Sequence, residues 1–176
     1  MGLFIKKIRG EAARDLFAQW YRNILSDKEM ATHVGQLQQL KEFSPLLANV
    51  RQDVFDEELT AVNIQWLNIA WTKYFMKNHI DMMKGIDFMS DVEALVPGLK
   101  KYEELGSLYN QAFGSSPTAG NYVMAELFVS NILDDFISRN ENDREELDEL
   151  IAGISHLFSK TYDIYKNMFE KSKLIS

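Results

Sequence analysis

The sequence predicts an all-α single domain of seven or eight helices, built around a central buried helix and ending in a long antiparallel helical hairpin. Three observations carry that prediction. Apolar residues recur at i, i+3 and i+4 through most of the chain. No segment alternates with the period of two that a half-buried strand needs, and no Asn-Gly or Asp-Gly hairpin signal occurs. The third is the stretch at residues 56–83, where Leu59, Val62, Ile64, Trp66, Leu67, Ile69, Ala70, Trp71, Tyr74, Phe75, Met76 and Ile80 fall around most of a helix circumference. Only Gln65, Asn68, Thr72 and His79 form a narrow polar strip. A surface helix buries one stripe, so a helix apolar nearly all round belongs in the interior.

The rest of the chain supplies what packs around it. Residues 1–10 interleave three bases with Leu3, Phe4, Ile5 and Ile8 and read as an N-terminal arm; residues 3–9 are the part able to touch an anionic membrane surface. The Met-Gly start lacks the Ser or Thr that myristoylation wants at position six, where Lys6 stands. An amphipathic helix follows at 11–25. Ser26 and Glu29 form a capping box that starts a second, peripheral helix at about 27–43. Ser44-Pro45 opens a short helix through Leu46, Leu47, Val50 and Val54, because a capping hydroxyl precedes a proline whose missing N–H costs nothing there.

Beyond the central stretch, Gly85 is expected to end or bend the helix, and Ser90 with Glu93 to cap a short one interrupted at Pro97-Gly98. Helices at 99–113, 117–138 and 143–171 complete the set. The connector at 139–142 is long enough only to reverse direction, which makes the last two a hairpin. Residues 172–176 read as a frayed tail, and the whole chain, 1–176, as one domain.

Composition narrows the functional classes. A 176-residue chain buries roughly 70% of its unfolded surface, so a full core is available without staples. The absence of cysteine excludes disulfides, thiolate metal ligands and a cysteine nucleophile, and suits the cytoplasm. No apolar run approaches the roughly 18 to 20 residues of a membrane span, and Leu3 to Ile5 is too short for a signal-peptide core. Residues 1–88 carry eleven bases and eleven acids, whereas 89–176 carry eight and fifteen, which places the net charge of −7 in the second half. That half repels nucleic acid, so none is expected as a partner.

Motifs for chemistry are absent. None of the three histidines stands in Glu-x-x-His or His-x-x-x-His spacing, so no metal site is expected. His33 pairs with Glu29 one turn back, and His156 lacks the lysine and glycine spacing of a phosphotransfer histidine. Asp134-Asp135 lacks the third acid of a diphosphate motif. A calcium loop begun at Ser138 lacks both its first Asp and its sixth Gly. There is no Gly-x-Ser-x-Gly and no glycine-rich phosphate loop, and no catalytic residue is assigned.

Two readings remain. The first is a non-enzymatic helical regulatory or protein-interaction module, binding a protein partner of basic character. Its surface would hold Met82, Met83 and Met89, because methionines adapt to varied partners, with Asp134, Asp135, Glu141, Glu145 and Glu149. The alternative is a sensory domain holding an apolar ligand or a tetrapyrrole such as haem in an internal pocket made by Asn63, Trp66, Trp71, Tyr74, Phe75 and His79. The helix count and long final pair resemble globin-like sensor folds in outline, with no motif matching residue by residue. Asn63, a polar group in the apolar arc, must find a hydrogen-bond partner or face a cavity.

Overall fold

The computed structural model describes residues 10–26, 35, 38–116, 119–133 and 143–172, and these form an all-α assembly with no strand. The elements are α1 (Gly10–Ile24), α2 (described at 38–43), a 3-10 turn (Pro45–Leu47), α3 (Gln52–Lys77), α4 (Met82–Ala94), α5 (Leu99–Ser115), α6 (Gly120–Ile132) and α7 (Asp143–Ser172). None of the described helices is long and apolar enough to cross a membrane. The expected N-terminal arm, the Ser26–Glu29 capping box, His33 and the reversal at 139–142 lie outside the described residues.

Helix α3 is the central post, and its three faces have different fates. Phe55, Leu59, Val62, Trp66 and Ile69, spaced four and three apart, enter a core shared with α6 and α7. On the other side, Ile64, Leu67, Ala70, Trp71 and Phe75 enter a second core with α1, α4 and the end of α7. Between them runs the strip of Gln65, Asn68 and Thr72.

Contacts advance in the same order along α3 and α7. Trp66 meets Phe158 and Tyr162 with ring centroids 6.2 and 5.6 Å apart, Tyr74 meets Phe169 at 5.7 Å, and Lys77 pairs with Glu170 at 3.0 Å. The two helices therefore run in one direction. Helix α5 also packs on α3, where Lys101 pairs with Glu57 at 2.6 Å and Phe113 reaches Trp66 at 5.4 Å. Tyr109 of α5 donates to the Glu58 carboxylate, which also accepts from Asn131 of α6 at 3.0 Å, joining three helices at one polar knot.

Several boundaries differ from expectation for local reasons. Ser44 does cap, accepting from the Leu46 N–H at 3.3 Å, but it opens a single 3-10 turn. The central helix then starts at Gln52, four residues earlier than its acidic run suggested, and Val54 belongs to it. It stops at Lys77, because Asn78 and His79 leave helical geometry and His79 takes a φ of 57°. Asp81 restarts the chain by accepting from the Met83 N–H at 2.9 Å. Gly85 lies inside α4 rather than at a helix end. A side chain there would meet the Phe75 ring at 3.2 Å, so the glycine lets α4 close on α3. Consequently the Ser90 start does not occur, and α4 continues to Ala94. Gly98 makes the expected break with a φ of 90°, a conformation glycine adopts without penalty.

Helix α6 begins where α5 ends, and Gly120 makes the approach possible. A Cβ on it would lie 2.6 Å from the Phe113 carbonyl oxygen and 2.7 Å from the Phe113 ring. Because one neighbour is backbone, Gly120→Ala should destabilise the protein by about 1–3 kcal/mol, the usual cost of overpacking. Urea melts check this; an unchanged midpoint would mean that the two helix ends are not tightly apposed.

Candidate functional site

Two hollows flank α3. The first is a cavity of about 250 Å³ against the Trp66 face. Phe55, Leu59, Val62, Phe128, Ile154 and Phe158 give it an apolar wall, and Gln39 of α2 and Leu157 of α7, both exposed, stand at its rim. Its polar groups are few, and most are already engaged. Asn63 Nδ2 donates to the Leu59 carbonyl at 3.0 Å, and its Oδ1 accepts from the Tyr165 hydroxyl at 3.4 Å. Thr161 Oγ1 donates to the Leu157 carbonyl at 3.0 Å.

Trp66 is different. The side chain is fully buried, and its indole N–H has no acceptor among the described residues. Leaving a buried donor unmatched costs about 1–3 kcal/mol, so such a group in a folded protein calls for an explanation.

The second hollow, a cleft of about 530 Å³, runs along the polar strip between α3, α4 and α5. Gln65, Asn68 and Thr72 form one wall, Glu93 another, and Glu103, Ser107 and Asn110 the third. Asn68 Oδ1 is held by two donors, the Tyr21 hydroxyl of α1 and the Trp71 indole N–H, the latter at 3.3 Å. Complete burial drives the Tyr21 hydroxyl pKa well above its ordinary value, with the Glu103 charge adding to the effect. Thr72 Oγ1 donates to the Asn68 carbonyl at 2.8 Å. The Glu93 and Glu103 carboxyls approach within hydrogen-bonding reach. Burial first, then the hydrogen bond and charge of Glu93, push the Glu103 carboxyl up to about 7. Glu103 therefore exchanges its proton near neutral pH.

The structure divides the residues singled out from the sequence. Asn63 and Trp66 line the apolar cavity together. Trp71 forms part of the cleft wall, while Phe75 is sealed among the rings of Phe17, Trp71 and Phe88. Tyr74, half-buried, stacks on Phe169. His79 is exposed beyond the end of α3 and joins neither hollow, because the strip loses its helical register at Asn78. On the expected partner surface, Met83 is 66% exposed, but Met89 is buried at 6% in the core shared with α1 and is not a surface residue. The backbone of Met82 begins α4; Glu145 and Glu149 are exposed on α7, and Asp134, Asp135 and Glu141 lie outside the described residues.

Glu93 and Glu103 were invisible as a pair, being separated by a turn that carried no functional signal. Among the described residues, no group of three or more metal-ligating side chains occurs.

Fold and hollows together define a class: an all-α domain with an apolar cavity and a polar cleft on adjacent sides of one central helix. Compared with protein-family models, curated proteins and solved structures, the chain shows no match in any of the three.

Proposed function

We propose that this is a helical binding domain whose apolar cavity takes a small, largely hydrophobic molecule carrying one hydrogen-bond acceptor. The observation behind this reading is the Trp66 indole N–H, fully buried on a side chain that lines the cavity and without an acceptor among the described residues. Apolar walls with a few convergent polar groups are the usual make-up of a small-molecule site. A cavity of about 150 Å³ already admits benzene. At about 250 Å³ this one suits a one-ring or small two-ring molecule. A tetrapyrrole, with four linked rings, is larger than this volume, and His79 is exposed away from it, so the reading favours the smaller ligand.

Acetophenone and ethylbenzene test the proposal, since they share a ring and nearly a size while only the ketone offers an acceptor. Acetophenone should bind more tightly, shift the Trp66 indole N–H resonance downfield and raise the melting temperature. Trp66→Phe, which keeps a ring in place, should abolish the preference for the ketone. Absence of binding by either probe, or an unchanged preference in Trp66→Phe, would refute the assignment.

An interaction module is favoured by a separate observation. Met83 and Ile86, one turn apart on α4, are 66% and 53% exposed. That reading makes the opposite forecast in native mass spectrometry: an empty chain whose mass changes only when a second protein is added.

A further inference from the structure

The cleft along the polar strip poses a problem that the apolar cavity does not answer. Glu93 of α4 and Glu103 of α5 place two carboxyls side by side, and neither has an ion-pair partner among the described residues. Like charges so close cannot both ionise without cost, and burial of Glu103 increases that cost.

The wall opposite adds an independent sign of a missing ligand. Gln65 is 6% exposed, lines the cleft and makes no side-chain hydrogen bond with described residues. Its Oε1 faces Gly106 of α5, where a Cβ would stand 3.3 Å away, so the glycine leaves that acceptor uncovered.

Two carboxyls, an uncommitted amide oxygen and the Trp71 ring have one ligand chemistry in common. We infer that the cleft between α3, α4 and α5 binds the ammonium group of a small primary amine, held by Glu93, Glu103 and the Gln65 Oε1. Three N–H donors meet three acceptors, and the cation separates the two carboxylates. The aromatic face of Trp71 adds an attraction that water cannot supply.

The charged groups facing the pair set the pH dependence. Tyr21 of α1 feels the Glu103 charge and stays neutral. Lys100 of α5 lowers the Glu103 pKa without outweighing burial and Glu93. Lys73 of α3 also lines the cleft, but its Nζ sits over the rings of Phe113 and Tyr162, 4.9 and 5.0 Å from their centroids. At pH 6 the Glu103 carboxyl holds a proton, and the incoming R–NH₃⁺ displaces it: Glu103 becomes a carboxylate and one H⁺ leaves to solvent. At pH 8 the proton is already gone. The amine therefore binds more tightly at pH 8, by about tenfold for a competing pKa near 7.

Propylamine hydrochloride is the probe, titrated at pH 6 and pH 8 while the side-chain amide resonances of Gln65 and Asn68 are followed by NMR. Saturable shifts of the Gln65 amide are expected, with affinity about tenfold higher at pH 8. Glu103→Gln relieves the repulsion and keeps the hydrogen-bonding shape, so the fold should persist while affinity falls about tenfold, the worth of one charge-assisted contact. Exposed Glu104→Gln on the same helix should leave binding intact. Lack of saturation, equal affinity at both pH values, or an equal loss in Glu104→Gln would overturn the inference, the last by revealing only diffuse attraction to an acidic surface. None of these outcomes depends on the cavity beside Trp66.

Discussion

Trp66→Ala should lower the unfolding free energy by about 3–5 kcal/mol, the range for removing a large aromatic side chain from a core that cannot collapse around the loss. The indole is fully buried and touches rings from two other helices, Phe113 of α5 and Phe158 and Tyr162 of α7. Those rings are anchored from behind: Phe158 by Phe128 at 5.6 Å, and Tyr162 by the Lys73 cation. The space therefore stays open and merges with the existing cavity. Denaturant melts should show the midpoint fall with little change in slope, as for a loss of stability without a change in the surface exposed. A cost near zero would mean that α3 is not the post of this fold.

Phe17→Ala carries an expected loss of similar size, about 3–5 kcal/mol by the same reasoning, but its consequences should be distributed differently. Phe17 is fully buried and sits among four rings: Trp20 at 5.1 Å, Phe88 at 5.0 Å, Phe169 at 5.1 Å and Phe75 at 6.2 Å. These belong to α1 itself, α4, α7 and α3, so one side chain joins four elements of the second core. The core on the Trp66 side contains no residue of α1. Hydrogen exchange should accordingly show amides of α1 and α4 losing protection first, with those of α5 and α6 holding longer. Uniform loss of protection would show that the two cores unfold as one unit.

How much of this was readable in the sequence follows from what periodicity encodes. The all-α class and the central helix were legible because a 3.6-residue repeat records which side chains leave water, and α3 leaves almost none in it. Asn63 was legible as a polar group inside an apolar arc that needs a hydrogen-bond partner or a cavity, and it bonds the Leu59 carbonyl and the Tyr165 hydroxyl. Helix ends were less so. Gly85 has the residue type of a terminator, yet its role is to admit the Phe75 ring, a fact set by a partner on another helix. His79 fits the polar strip on a helical projection, but a projection assumes that the helix continues, and backbone geometry ends it at Lys77.

The candidate sites were the least readable part. The unmatched Trp66 N–H is an absence in three dimensions, and the sequence of an indole does not state whether an acceptor stands before it. Glu93 and Glu103 meet across the Pro97-Gly98 turn, and two acids ten positions apart on different helices look like ordinary surface residues until the helices are packed.

Helix α3 has a core on each of two faces and the cleft on the third, so it has no spare side to turn toward water. A one-residue insertion in its middle would rotate everything downstream by about 100°. On an amphipathic surface helix, such a slip can be absorbed in the solvent-facing arc or in a frayed end. Here it would swing the walls of both cores and the cleft together, so the chain should tolerate substitutions along α3 far better than changes in its length.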